Sequence, residues 1–324
     1  MKALVFERFG GPDVLHYQDI PNPSIGPTDV LVRTKAIGLN FADVYRRKGN
    51  YHLTGTPPYI LGYEGAGVVE EVGAEVGAEV SHVNVGDRIA FADVPFANAE
   101  LVAVPQDKII AVPDDISFDA AASVLLQGLT AHYLTQDSYG IQPGDYVLVH
   151  AAAGGVGQLL VQIVKLLGGQ VIGLTSSSEK AKAAAQAGAD YVFLYEDNWV
   201  EQVKEVTKRG ADVAYESVGV TLEKSFEAVK TGGTVVFYGM AGGDPAPVDP
   251  RMLMDTSKTL TGGDLWNVLV SYEERKVRSQ QLFEWISKGQ LVLTDPVVFD
   301  LKDGAKAHEL LESRKSTGKI LLRP

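Results

Sequence analysis

The chain has 324 residues, 45% of them hydrophobic and 22% charged, which is enough for a large core and points to two domains rather than one. With 41 Asp plus Glu against 29 Lys plus Arg the net charge is -12, so composition argues against nucleic acid as a partner. The absence of cysteine excludes disulfides, thiolate zinc sites, iron–sulfur clusters and cysteine nucleophiles, and leaves only His, Asp and Glu as candidate metal ligands.

Glu7 and Arg8 stand where a secretory signal needs its apolar stretch, and no later apolar run approaches membrane-spanning length. A cytoplasmic protein without a membrane anchor is expected.

From the start to about residue 112 the text is a series of short β-branched runs broken by Gly and Pro, at 2–6, 29–36, 65–72, 87–91 and 99–104. These predict a small, irregular, mostly antiparallel β unit. Between two of the runs Val72-Gly73-Ala74-Glu75-Val76 is echoed by Gly77-Ala78-Glu79-Val80, read as a lengthened hairpin loop.

From about residue 119 the pattern changes to a helix-rich stretch, 119–139, and then to alternating strands and amphipathic helices. Strands are expected at 146–150, 170–175, 191–194, 213–216, 234–238 and 259–262, with helical text such as 157–167 and 179–187 between them. That alternation predicts a doubly wound parallel sheet. A helix at 272–288, a strand near 292–299, a helix near 303–314 and a strand at 319–322 follow. They are too few for a third domain and are expected to pack back on the first.

The strongest local signal is the strand 146–150 running through Ala151-Ala152-Ala153-Gly154-Gly155-Val156-Gly157 into a helix. Strand, glycine turn and helix occur in the order of a dinucleotide-binding crossover, and Ala152, Gly154 and Gly157 align with G-x-G-x-x-G. A bare Cα at Gly154 lets a pyrophosphate approach N–H groups at the helix N-terminus, while Gly157 lets the helix sit close on the strand.

An acid binding the ribose of NAD is expected roughly 20 residues further on, at the end of the second strand. Here that end reads Thr175-Ser176-Ser177-Ser178-Glu179-Lys180. Glu179 fits a capping box with Ser176, which leaves hydroxyls and Lys180 beside the ribose. A cation with hydroxyls suits a 2′-phosphate, so NADPH is favoured over NADH.

Other motifs carry less. Ser177-x-x-Lys180 with Lys230-Thr231-Gly232 lacks the companion S-D-N of the serine acyl-transfer enzymes and falls inside the crossover pattern. His16, His52, His82, His132, His150 and His308 have no ligand-like spacing, and His150 reads as a hydrogen-bonded structural residue rather than a base.

Five stretches together carry a resemblance: Lys35 to Asp43, Arg46 to Gly49, Leu61 to Gly67, Val85 to Arg88, and His150 to Gly157. With them the chain resembles the zinc-free medium-chain dehydrogenases/reductases, and among these the NADPH:quinone oxidoreductases related to zeta-crystallin, over essentially its whole length. The resemblance implies an α/β protein with a GroES-like, mostly β catalytic domain (1–122, rejoined by 265–324) and a Rossmann domain (123–264), with the active site in the cleft between them. Zinc-dependent relatives carry Cys and His in the segments matching Asn40 and Tyr63, and a four-cysteine lobe where this chain has 91–98. Without those ligands no metal site is expected.

A conjugated acceptor then becomes the expected substrate, because a quinone or an enone spreads the charge of the incoming hydride and needs only hydrogen-bond donors where a simple ketone needs a Lewis acid. The resemblance implies Asn40, Tyr51 and Thr130 as donors or positioning groups, with Asp43 supporting the cleft. For the cofactor it implies Asn40, Tyr45, Thr130, Gly154, Gly155, Val156, Ser176, Lys180, Tyr195, Ser217 and Gly239.

Two alternatives stay open: NADPH-dependent reduction of enone or alkenal C=C bonds, and a cofactor-gated RNA-binding or structural role using Arg46-Arg47-Lys48 as a basic patch. A homodimer is expected through the sheet edge at 259–262, unless 249–257 folds over it.

Overall fold

The computed structural model describes residues 1–77 and 83–324. Part of the 72–80 echo and His82 therefore lie outside the described residues. The chain divides into two compact units. Unit 1 comprises 1–126, 269–288 and 293–324, and unit 2 comprises 127–268 and 289–292.

In chain order unit 1 begins with β1 (Lys2–Phe6), β2 (His16–Asp19), β3 (Asp29–Leu39), α1 (Phe41–Lys48), β4 (Tyr59–Ile60), β5 (Glu64–Val72), β6 (Arg88–Ala92), β7 (Leu101–Pro105) and β8 (Ile110–Ala111). The long helix α2 (Phe118–Tyr133) contains the division between the units. Unit 2 continues with β9 (Tyr146–Val149), α3 (Gly155–Leu166), β10 (Gln170–Thr175), α4 (Ser178–Gln186), β11 (Tyr191–Leu194), α5 (Trp199–Thr207), β12 (Ala211–Glu216), α6 (Leu222–Ala228), β13 (Val229–Phe237), α7 (Pro250–Thr256) and β14 (Thr259–Gly262). The chain closes with α8 (Tyr272–Ser287), β15 (Val297–Asp300), α9 (Gly304–Glu312) and β16 (Ile320–Arg323) in unit 1.

Unit 1 is built on a seven-stranded sheet in which β3 is the central strand, pairing antiparallel with β5, β7 and the returning β16. Alternate residues of β3, Val30 and Val32, enter a core with Leu4, Phe6, Phe91 and Leu322. Burial alternates through Val30, Val32 and Thr34 and is continuous from Ala36 to Leu39. Sequence reasoning missed α1. Its eight residues are too few for a periodic signal, although Asn40-x-x-Asp43 across its start and Gly49 after it, at φ 81°, are the start and stop signals of a short helix.

Unit 2 is a six-stranded parallel sheet in the order β11-β10-β9-β12-β13-β14, with β9 first in sequence and its neighbours on either side reached by opposite crossovers. The order reverses between β9 and β12, the switch point where ligands of doubly wound sheets bind at the carboxyl ends of the strands. Among the described residues no helix is long and apolar enough to cross a membrane.

Candidate functional site

At the carboxyl end of β9 the chain enters the glycine turn through Ala151, which adopts φ 48°. The carbonyl of Ala151 accepts the N–H of Gly154 at 2.8 Å, and the first intrahelical bond of α3 runs from Gln158 N–H to Gly154 O at 2.9 Å. The N–H groups of 155–157 thus belong to the first turn of α3, where backbone donors have no helical acceptor.

The three glycines have different reasons. A Cβ on Gly157 would collide with the Ala151 carbonyl oxygen, so this glycine sets the close approach of helix to strand. On Gly155 it would collide with the Gln127 amide. On Gly154 a Cβ meets only the Ala151 oxygen at 3.2 Å, which leaves the outer side of that backbone open to a ligand.

The end of β10 carries Thr175, buried, and then exposed Ser176. The cap of α4 is Ser177, whose hydroxyl accepts the Lys180 N–H at 3.4 Å. The expected box with Ser176 is corrected by one residue, because α4 begins at Ser178 and the third helical N–H is that of Lys180. Ser176 is thereby spared from capping, and Lys180, half-buried, lies in the first turn. Glu179 is held below the ordinary carboxyl value by its backbone N–H and by Ser177.

On the other side of the switch point Ser217 follows β12, and a Cβ on Gly239 would stand 3.3 Å from the Ser217 carbonyl oxygen. The register Glu216↔Phe237 brings these two loops together. Tyr195, just beyond β11, accepts the Ala151 N–H on its hydroxyl at 2.9 Å and reaches His150 Nδ1 at 3.2 Å. Gly154, Gly155, Val156, Ser176, Lys180, Tyr195, Ser217 and Gly239 therefore all lie at the carboxyl ends of the unit 2 strands or just beyond them. Thr130, on α2, is also in unit 2.

These residues fit a dinucleotide with a 2′-phosphate: a helix N-terminus with an open glycine backbone, then hydroxyls and a cation, with no carboxylate at the end of β10.

Asn40, Asp43, Tyr45 and Tyr51 belong to unit 1. Asn40 immediately precedes α1, and its N–H donates to Asp43 Oδ2 at 2.9 Å. Its side-chain amide donates to Glu64 Oε2 at 2.9 Å, while Lys319 Nζ donates to Asn40 Oδ1 at 2.9 Å and to Glu64 Oε2 at 2.6 Å. Glu64 Oε1 accepts the Leu126 N–H at 2.7 Å. All three side chains of this cluster are buried. Gly38 makes room for it, since a Cβ there would collide with the Glu64 carboxylate. Glu64 and Lys319 were missed as members of the site, and for Lys319 no local signal exists because its partners are hundreds of positions away.

Burial pushes the Asp43 carboxyl above its ordinary value, against the pull of Arg46, of the Asn40 N–H and of Lys319. Arg46 spreads its guanidinium over the Tyr63 ring at 3.6 Å and over Tyr51 at 4.9 Å. Arg46 and Arg47 are both fully buried. The basic patch expected from Arg46-Arg47-Lys48 is thus not a surface: only Lys48 is exposed, and it pairs with Glu312 at 2.8 Å. Helical periodicity turns the two arginines inward, which a run of three cations does not reveal. Among the described residues no cluster of His, Cys, Asp and Glu could hold a metal ion.

Family models match twice: an alcohol dehydrogenase GroES-like domain over residues 26–138 and a zinc-binding dehydrogenase domain over 155–279. A quinone oxidoreductase of Pseudomonas aeruginosa is 40% identical over 100% of this chain and 99% of its own. A 2-haloacrylate reductase of a Burkholderia species is 36% identical over 99% of this chain and 98% of its own. The structure of the Escherichia coli quinone oxidoreductase complexed with NADPH superposes with a TM-score of 0.95 at 36% identity, covering 100% of both chains.

Proposed function

Because the chain belongs to the quinone oxidoreductase family, we propose that it oxidises NADPH and passes the hydride to a quinone or a similarly conjugated acceptor. NADPH, when bound, supplies the hydride. The residues of this chain hold it: the first turn of α3 and the backbone at Gly154–Val156 take the diphosphate, and Ser176 and Lys180 take the 2′-phosphate. Tyr195, Ser217 and Gly239 line the cofactor's path in this reading, with Asn40, Tyr45 and Thr130. Asn40, Tyr51 and Thr130 are the donors assigned to the acceptor.

Residues 1–122 and 265–324 form the catalytic domain in the same reading and 123–264 the cofactor domain, within a cytosolic enzyme. The single observation that carries it is the glycine turn at the switch point of the unit 2 sheet, with hydroxyls at the end of β10 and Lys180 beyond them in place of a carboxylate at that strand end. Stopped-flow mixing of the protein with NADPH and a panel of quinones and enones tests it. Loss of NADPH absorbance with at least one acceptor is expected, and no loss with any would overturn the reading.

The 2-haloacrylate reductase relative favours a second reading, reduction of an activated C=C bond. The same panel separates the two, since faster turnover of alkenoates than of quinones selects the second.

A homodimer through β14 belongs to the proposal as well. β14 ends the six-stranded sheet, its residues are exposed or half-buried, and α7 before it packs Met252 and Leu253 on the unit 2 core. An uncharged edge strand invites pairing with its symmetry mate. Light scattering should give twice 34.8 kDa, and a single copy would remove the idea.

A further inference from the structure

His150, Glu216 and Ser225 are completely buried, and their side chains form one connected hydrogen-bond network in unit 2. Its proton directions follow from counting. Ser225 Oγ lies 2.5 Å from Glu216 Oε2, and an ionised carboxylate only accepts, so the single hydroxyl proton of Ser225 points there. His150 Nε2, 2.9 Å from Ser225 Oγ, must then donate to that hydroxyl oxygen. Thr221 Oγ1, at 2.9 and 2.8 Å from the two Glu216 oxygens, spends its own proton on the carboxylate.

The neutral ring keeps a lone pair on Nδ1, and the Tyr195 O–H fills it at 3.2 Å while the phenolic oxygen accepts the Ala151 N–H at 2.9 Å. Burial favours the neutral ring, pushing His150 below its ordinary value against the field of Glu216. Burial also pushes Glu216 up, but His150, Ser225, the Val218 N–H and Thr221 together hold it below its ordinary value. Every donor in the series from Ala151 through Tyr195, His150 and Ser225 therefore points one way, to a carboxylate that also accepts the Val218 and Gly219 N–H groups at 2.7 and 3.1 Å.

The head of that series is a strained residue. Ala151 holds φ 48°, a region an L side chain rarely adopts, and its carbonyl oxygen is the atom that receives Gly154 and underlies Gly157. The foot of the series fixes the loop that begins at Ser217. We propose that Tyr195, His150, Ser225 and Glu216 are positioning residues, a one-way hydrogen-bond relay that locks Ala151 in its left-handed conformation and ties the glycine turn to the Ser217–Gly219 loop, so that both walls of the dinucleotide site are preset. The purpose assigned to the relay rests on the NADPH reading of unit 2, while its geometry belongs to the ligand-free chain, so the two can fail separately.

Imidazole nitrogen spectra of the ligand-free wild type test the geometry, with the His150 signal assigned through its edge-on contact to Trp199 at 5.6 Å between centroids. The expected signature is a neutral ring protonated at Nε2 with a hydrogen-bonded Nδ1. A ring charged at neutral pH, or protonated at Nδ1 alone, overturns the relay. The positioning role is tested by NADPH titration of Tyr195→Phe, Ser225→Ala and the double variant. Each single change should weaken NADPH about five- to tenfold, and the pair no more than the worse single change, because one relay is broken only once. Losses that multiply would mean that Tyr195 and Ser225 act independently, and unchanged affinity would mean that the relay positions nothing; either result overturns the proposal. A wild type that binds no NADPH sinks the functional reading and with it the relay's role, and leaves the spectra to decide the geometry.

Discussion

Each unit buries a polar cluster around a carboxylate, Glu216 in unit 2 and Glu64 in unit 1, and the two are assembled differently. In unit 2, Glu216 and Ser225 are nine positions apart, and β9 and β12 place His150 beside them as neighbouring strands of one parallel sheet. In unit 1, Lys319 reaches Asn40 across 279 positions, and only the antiparallel return of β16 onto β3 brings them together. The first cluster follows from the regular geometry of a crossover fold. The second depends on the chain's last strand docking correctly, and its central contact is a buried ion pair that Asn40 and the Leu126 N–H complete.

That difference makes Lys319→Met the most damaging change expected. Removing one partner of a buried pair strands the other, here Glu64, and costs roughly 3–5 kcal/mol. Denaturant unfolding would measure it, and a loss below about 1 kcal/mol would mean that water reaches the carboxylate and the cluster is not a true interior. Lys180→Ala probes the opposite kind of residue, half-buried and assigned by the proposed function to a 2′-phosphate. It should weaken NADPH by about 1.5–3 kcal/mol and leave NADH nearly unchanged. Equal weakening of both nucleotides in a calorimetric comparison would assign Lys180 to the fold instead.

Acid sharpens the contrast further. Burial, with Arg47 adding to it, pushes His308 in unit 1 down to about 3 from an ordinary 6.5, and burial lowers His150 in unit 2 as well. Since the folded value lies below the unfolded one, the unfolded chain takes up the proton first. The stability from a neutral His308 is therefore complete above about pH 6.5 and is lost as pH falls toward 3. The slope is about 1.4 kcal/mol per pH unit for one such group. His308→Leu should flatten the stability profile in that window, and an unaltered slope would shift the acid sensitivity to His150.

The smallest effect is expected from Asn40→Ala. Glu64 still faces Lys319, and the Asn40 amide's bonds to Glu64 and from Lys319 are lost, a change of about 1–2 kcal/mol in unfolding free energy. A parallel NADPH titration would tell whether Asn40 also serves the cofactor, through an affinity loss beyond that stability change.

Much of unit 2 was legible from the residues alone. The strand at 170–175 and the one at 191–194 coincide with β10 and β11, because continuous apolar runs separated by amphipathic helices have few other solutions than a parallel sheet covered on both faces. Gly157 was readable because close backbone approach demands glycine whatever surrounds it. The cap at Ser177 was misread by one residue, since three consecutive serines offer the same chemistry and only the helix start selects among them.

What the sequence by itself determined is local: the β-branched run that becomes β3, the crossover around the glycine turn, and the absence of a carboxylate at the end of β10. These are properties of residues near one another along the chain, fixed by backbone geometry and by which side chains seek water. Tertiary structure alone decided that Arg46 and Arg47 are interior, that Glu64 and Lys319 close on Asn40, and that His150 is a link between Tyr195 and Ser225. The physical reason is that burying a charge or a polar ring is unfavourable without partners, and those partners come from strands and helices that sequence spacing does not relate.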